Sequence, residues 1–215
     1  MKINIKTFLA AFIVILLMGT VTASAFMVDL TVPNESGMPV MTYAKVRGTV
    51  DAADNSIFHF DIDFAPGLKG NLNGGLNFGI DKFFFNTTLD RNHLMFKNFD
   101  PMLLSISEDR QAGGFGKFDI RLNRLKRTDH LYFDIDSTSA LTEDDFFLFS
   151  DDPAGNGKGH FAAHIGGFAF NGKEGGTFVR DGGTSPVLEP GTMILLGISL
   201  LTGAGYMRRT SKKEI

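Results

Sequence analysis

A strict alternation runs through Phe58-His59-Phe60-Asp61-Ile62-Asp63-Phe64, where every second side chain is apolar. A period of two places the apolar side chains on one face of a β-strand and the polar ones on the other. The same pattern recurs in Phe118–Leu122 and in Leu131–Asp136. The body of the chain is therefore predicted to consist of half-buried strands.

Stretches rich in glycine and proline separate these patterns, as expected of turns between short strands. They include Pro66-Gly67, Asn71 to Gly75, Gly113-Gly114, Pro153 to Gly159 and Gly172 to Gly176. The body has no long segment with the period of 3.6 that marks an amphipathic helix. The sequence predicts an all-β fold over residues 26–184, an antiparallel β-sandwich or jelly roll.

The predicted core is formed by the apolar positions of the alternating stretches. They are Phe58, Phe60, Ile62, Phe64, Phe118, Ile120, Phe133 and Ile135. The segment from Phe26 to Met41 contains two prolines and few periodic residues. We expect it to be a lead-in or an arm, and we expect one antiparallel domain from residue 42 to about 180.

The composition excludes several classes of protein. The chain has 215 residues and no cysteine, which rules out disulfides, thiolate zinc sites and a cysteine nucleophile. Its net charge of −3 gives no sign of nucleic acid as a partner. It has 22 Phe, 3 Tyr and no Trp. Because a phenylalanine ring has no polar tip, most of these rings should lie in the core.

The first 25 residues have the three parts of a secretory signal peptide. Lys2 and Lys6 form a positive region, Phe8 to Met18 form an apolar region, and Ala23-Ser24-Ala25 form a small-residue cleavage site. An apolar run of about 11 residues is too short to span a bilayer of roughly 30 Å. We therefore expect export through the Sec translocon and cleavage by signal peptidase after Ala25, with an uncleaved anchor as the alternative.

The last residues, 185–215, also have three parts. A polar segment from Ser185 to Thr192 precedes the apolar run Met193 to Met207, and a basic tail follows over 208–215. As a helix the apolar run rises only about 22 Å, which is marginal for a membrane span. Cations directly after such a helix stay in the cytoplasm. The pattern predicts a short transmembrane helix over 193–207 with the body outside the membrane.

This end resembles the PEP-CTERM sorting signal, which exosortase enzymes recognise in Gram-negative bacteria that make extracellular polysaccharide. The matching residues are Glu189, Pro190, Thr192, the Met193–Gly197 run, Arg208 and Arg209. Leu188 stands where the family has its first proline. The resemblance implies cleavage by an exosortase near Glu189-Pro190 and delivery to the cell surface or its matrix. An ordinary C-terminal membrane anchor is the alternative.

A second resemblance lies late in the body. The segment Gly159 to Phe168 contains Phe161-Ala162-Ala163-His164 and is similar to a segment of many PEP-CTERM passenger domains. It supports membership of that group and implies no activity.

Oxygen-rich side chains cluster in the loop Asp151 to Gly157, where Asp151, Asp152 and Asn156 are candidate calcium ligands. The loop lacks the spacing and the terminal Glu of an EF-hand. His160 and His164 would lie about 13 Å apart on a strand, too far to share one ion. We expect both histidines to be structural, and we expect the acidic rows Asp61/Asp63 and Asp134/Asp136 to be solvated.

Four basic residues lie between two predicted strands: Arg121, Arg124, Lys126 and Arg127. They could meet an anionic polysaccharide, or they could protect the edge of a sheet from pairing with other chains.

No common catalytic motif is present, neither a Gly-x-Ser-x-Gly elbow nor a phosphate-binding loop nor a dinucleotide fingerprint. The sequence therefore favours a non-enzymatic surface or matrix protein, associated with exopolysaccharide or the cell envelope and without a required cofactor. The alternatives are a calcium-assisted carbohydrate-binding module and a polysaccharide-active enzyme that uses paired carboxylates.

N-terminal sequencing of the exported protein should return Phe26 as the first residue, because signal peptidase cuts after the small residue at the end of an Ala-x-Ala site. If Met1 were returned instead, the segment would be an uncleaved anchor.

Overall fold

The computed structural model describes residues 25–102, 105–183 and 187–188. The predicted helix over 193–207 lies outside the described residues, as do most of the predicted processing residues. These are Ala23, Glu189, Pro190, Thr192, Arg208 and Arg209. In the part of the chain that is described, no helix is long and apolar enough to cross a membrane.

The described residues form one antiparallel sheet, so the all-β prediction is confirmed. Its strands are β1 (Ala25–Pro33), β2 (Ala44–Val50), β3 (Ile57–Phe64), β4 (Gly74–Phe85), β5 (Leu94–Asp100), β6 (Ser105–Gln111), β7 (Lys117–Thr128), β8 (His130–Ser137), β9 (Phe161–Phe170), β10 (Lys173–Asp181) and β11 (Val187–Leu188). One helical turn, α1 (Leu68–Asn71), and two 3-10 turns, Arg91–His93 and Glu143–Asp145, lie between strands.

The strand order requires this sheet to curl. The order is β5-β8-β3-β2-β1-β10-β9-β4-β7-β6, with β11 beside β1. β5 and β6 lie at opposite ends of the order, yet only residues 101–104 join them. Five steps between Cα atoms span at most about 19 Å. The two ends of the sheet must therefore come close together, which gives a sandwich-like fold made from one sheet.

Two halves of the sheet face each other across the core. The first half is β5, β8, β3, β2 and β1, and the second half is β10, β9, β4, β7 and β6. The ring of Phe60 on β3 stacks on Phe133 of β8, with 4.9 Å between centroids. It also reaches the second half, at 5.1 Å from Phe85 and 6.2 Å from Phe161. Burial of these large apolar rings holds the two halves together.

Most of the predicted core is confirmed. The buried members of the main core include Phe58, Phe60, Ile62, Ile120, Phe133 and Ile135. Phe64 is only partly buried at the margin of this core. Phe118 is fully buried, but it belongs to a second, smaller cluster with Phe84 and Phe115. The second cluster arises because the turn over 112–116 covers part of the outer surface of the second half.

The segment that begins at Phe26 is not a lead-in, and that prediction was wrong. β1 is an interior strand that pairs with β2 on one side and with β10 and β11 on the other. Phe26, Val28 and Leu30 alternate and are buried in the main core. The apolar Met27 occupies an intervening position and hid the period of two. Pro33 is the last residue of the strand, a position where proline is tolerated.

The sheet also continues beyond residue 184, which was the predicted end of the body. In β11, Val187 pairs with Met27 and Leu188 pairs with Phe26. The two ends of the described body therefore lie on neighbouring strands.

The four basic residues of β7 do not form a protected edge, because β7 is an interior strand between β4 and β6. They lie within the strand rather than between strands. Arg124 is buried, and the Nε of Arg127 is 3.0 Å from Asp81 Oδ2.

The outer strands β5 and β6 are protected from pairing with other chains in a different way. Asn98 in β5 and Asp109 in β6 have positive φ angles of 52° and 49°, which interrupt a flat pairing edge.

Replacing Phe60 with alanine should lower the free energy of unfolding by about 3–5 kcal/mol, because the substitution removes a fully buried ring and leaves a cavity. Chemical denaturation measures the change. As a control, Leu76→Ala removes a fully exposed side chain and should stay within about 0.5 kcal/mol of the wild type. Equal effects of the two substitutions would contradict the placement of Phe60 at the centre of the core.

Candidate functional site

The outward face of the first half carries a network of ionisable side chains. Asp61 and Asp63 project from β3 between two neighbouring strands. The pairing register places Arg47 of β2 opposite Asp61, and His130 of β8 opposite Asp63. Asp61 and Asp63 therefore do lie on a polar face, but Arg47 and His130 contact them there in addition to water.

Arg47 binds both carboxylates through one oxygen of each. Its Nη1 atom lies 2.8 Å from Asp63 Oδ2 and 3.2 Å from Asp61 Oδ2. The hydrogen bond to Asp63 is the largest influence on the pKa of Arg47 and raises it, which outweighs the opposing effect of burial. Arg47 therefore stays charged and holds the two carboxylates side by side.

His130 approaches the same carboxylates through their other oxygens. Its Nε2 atom lies 3.0 Å from Asp61 Oδ1 and 4.0 Å from Asp63 Oδ1. Ligand-type atoms of the three residues all lie within 4.8 Å of one another. Across the described ranges, this is the one group of three or more acidic or histidine side chains that meets this geometry. The side chains of Asp61, Asp63 and His130 are 35%, 39% and 42% exposed, so ions in solution can reach them.

A cleft of about 560 Å³ opens beside this group. Asp63 and His130 form part of its wall. Apolar lining comes from Phe64, Leu68 and Phe78, and polar lining from Lys69, Arg127, Thr128 and Asp129. Small-molecule sites have volumes of roughly 300–1,000 Å³ and combine apolar walls with a few polar groups. The cleft can therefore accept a small ligand that carries hydroxyl or charged groups.

A second histidine on this face, His59, lies between two other carboxylates. Its Nδ1 atom is 2.6 Å from Asp134 Oδ1, and its Nε2 atom is 3.0 Å from Asp51 Oδ2. Burial lowers the pKa of His59, but the hydrogen bonds to Asp134 and Asp51 together outweigh burial and raise it. Since each nitrogen faces a carboxylate, the arrangement favours the charged imidazolium.

His160 and His164, predicted to be structural, are each paired with a different aspartate. His164 Nδ1 lies 2.5 Å from Asp81 Oδ1, whose second oxygen binds Arg127. Two glycines make room for this arrangement. A Cβ atom at Gly176 would lie 2.7 Å from His164 Nε2, and one at Gly166 would lie 2.6 Å from the guanidinium carbon of Arg127.

His160 and Asp181 form a buried clasp at the end of β10. His160 Nδ1 and Asp181 Oδ2 are 2.9 Å apart, and the imidazole lies between the rings of Phe147 and Phe149. The Asp181 carboxylate also accepts hydrogen bonds from the backbone N–H groups of His160, Phe161 and Gly183. Burial raises the pKa of Asp181, but the bond to His160 and the backbone bonds outweigh burial and lower it.

The predicted calcium ligands Asp151, Asp152 and Asn156 lie in one loop, but Asp152 and Asn156 face different partners. Asp152 Oδ2 is 3.6 Å from Lys117 Nζ. Asn156 Nδ2 donates to the carbonyl oxygen of Gly113. The backbone of Asp151 pairs with Lys117. These contacts fasten the loop to the turn over 112–116, and calcium binding there stays a prediction.

Sequence reasoning did not identify Arg47 and His130 as site residues. His130 precedes the alternating stretch that begins at Leu131, so the period of two places it on a polar face. Its position beside Asp63 depends on which strands are neighbours, and alternation within one strand does not contain that information.

Replacing Asp181 with asparagine should destabilise the fold, because a buried N–H group that loses its acceptor costs about 1–3 kcal/mol. Denaturation at pH 7 measures the loss. The pKa of Asp181 is lower in the folded protein than the ordinary aspartate value of 3.8, and this difference makes stability depend on pH. Above pH 3.8 the ionised carboxylate contributes its full stabilisation. That stabilisation is lost as the pH falls through the lower pKa of the folded state.

The exposed Asp144 provides the matched control, and Asp144→Asn should leave both stability and its acid dependence unchanged. If the Asp181→Asn protein were as stable as the wild type between pH 3 and 7, the clasp of His160 and Asp181 would contribute nothing to the stability of the fold.

Comparisons with protein-family models, with curated proteins and with solved structures found no match to this chain.

Proposed function

We propose that this chain is an exported, non-enzymatic surface protein that an exosortase sorts to the outside of the cell. The signal peptide directs the chain to the Sec translocon, and signal peptidase removes it after Ala25. The short helix over 193–207 and the basic tail then hold the C-terminal end in the inner membrane. Exosortase cleaves near Glu189-Pro190, and the body moves to the cell surface or the extracellular matrix.

The observation that carries the proposal is the three-part C-terminal end, in which Glu189-Pro190 and Thr192 precede a short apolar run and an arginine pair. A helix of about 22 Å that is followed by basic residues suits a segment that stays in the membrane only until it is cleaved. Three glycines in the run, Gly197, Gly203 and Gly205, weaken it as a permanent anchor.

Apart from Ala25 at the start of β1, every described strand lies between the two proposed cuts. Cleavage at both places would release a body that keeps every described strand beyond Ala25, so processing need not disrupt the fold.

At the cell surface, we propose that the body associates with exopolysaccharide through polar groups. Phe149 is the one phenylalanine among the described residues that is more than a third exposed, so stacking on sugar rings contributes little. The charged outward face and the cleft beside Asp63 instead offer carboxylate, imidazole and ammonium groups to hydroxyls and charges. The cleft also favours a carbohydrate-binding module as the second candidate function.

Replacing Glu189-Pro190 with Ala-Ala should block C-terminal processing in a host that has an exosortase. The wild-type surface protein should lack the segment from Arg208 to Ile215, whereas the variant should keep it and stay in the inner membrane. Mass spectrometry of surface and membrane fractions measures both. A matched control, Ser185→Ala, changes the same polar segment outside the motif and should leave processing intact.

Recovery of the Arg208–Ile215 tail on the wild-type surface protein would show that the helix is an ordinary anchor and would refute the sorting proposal.

A further inference from the structure

We propose that Asp61, Asp63 and His130 bind a divalent transition-metal ion, with zinc as the best fit, on the outward face of the first half. The proposed site lies entirely within the body, so it does not depend on how the protein is exported or sorted. Nor does it involve the Asp151–Asn156 loop that the sequence suggested for calcium.

The two carboxylates divide their oxygens between two partners. Both Oδ2 atoms face Arg47 Nη1, at 3.2 Å for Asp61 and 2.8 Å for Asp63. Both Oδ1 atoms face His130 Nε2, at 3.0 Å and 4.0 Å. Arg47 and His130 therefore contact different oxygens of the two carboxylates, which leaves both Oδ1 atoms facing the imidazole. Hydrogen-bonded partners of this kind commonly fix metal-binding carboxylates.

The distances suit a metal ion after small side-chain movements. Ligand atoms around tetrahedral zinc are about 3.3–3.6 Å apart, since each lies about 2.0–2.2 Å from the ion. The separations of 3.0 Å and 4.0 Å from His130 Nε2 lie on either side of that range. When the ion binds, Nε2 gives up any proton it carries to solvent, and its lone pair takes the ligand position.

The backbone under the site is held by interior strands. Asp61 and Asp63 flank Ile62, which is fully buried, and His130 precedes the fully buried Leu131. Ile62 and Leu131 are paired across β3 and β8. Because these apolar neighbours fix the strands, the backbone positions of the three ligands are held, and only their side chains need to be ordered when an ion binds.

Charge and ligand type indicate the class of ion. Two carboxylates and one guanidinium leave a net charge of about −1 when the imidazole is neutral, which favours a dication. Imidazole suits zinc and neighbouring transition metals, whereas calcium and magnesium prefer oxygen ligands alone. Three protein ligands leave a fourth position open on zinc. Asp63 and His130 also line the cleft, so a ligand in the cleft would lie beside the ion.

The test uses the full-length chain without a polyhistidine tag, freed of metal by a chelator and titrated with zinc in a calorimeter. We expect one zinc ion per chain. His130→Gln and Asp63→Asn should each weaken binding by more than the roughly 10–100-fold that loss of an outer partner costs. His59→Gln and Asp136→Asn alter the same face outside the site and should bind zinc as the wild type does.

X-ray absorption at the zinc edge gives a second result that needs no variant, and it should show one imidazole and otherwise oxygen ligands. Absence of zinc binding, full affinity in His130→Gln, or two imidazoles around the ion would each overturn the proposal. In those cases Asp61, Asp63 and His130 form only an ion-pair network.

Discussion

The described residues contain no long helix and no second sheet to cover the apolar face, so this single sheet buries that face by closing upon itself, and the rest of the structure depends on that closure. Phe60 lies at the point of contact, stacked on Phe133 within its own half and packed on Phe85 and Phe161 of the other half. The short link over residues 101–104 brings the two ends of the strand order together. Apolar burial drives the closure, and the link limits how far the sheet can open.

Closure directs polar side chains outward, and pairing register then decides which of them meet. On β3, alternation with buried phenylalanine and isoleucine places Asp61 and Asp63 on one face. β2 supplies Arg47 from one side and β8 supplies His130 from the other. The same register places Asp134 opposite His59, and the turn after β2 supplies Asp51. The charged face is therefore a product of strand order, and its members come from segments as far apart in sequence as Arg47 and His130.

The two ends of the body also meet through strand order. Phe26, the predicted first residue of the mature protein, pairs with Leu188, which precedes the predicted exosortase motif. Further along β1, Leu30 pairs with Asp181, whose buried carboxylate fastens the end of β10 by accepting a hydrogen bond from the N–H of Gly183. A body closed in this way can lose a segment at either end and retain its core, as suits a protein that is proposed to be cut twice.

The sequence by itself determined the all-β class and six of the buried residues of the main core, and it is the source of the two proposed processing sites. These features are local, because alternation, turn residues and terminal motifs can each be read within about ten positions. Only the tertiary structure decided that β1 is an interior strand, that Phe118 belongs to a second cluster, and that His130 lies beside Asp63. These features depend on strand order and register. Strand order and register arise from long-range packing, and the strand faces that pack look alike in sequence.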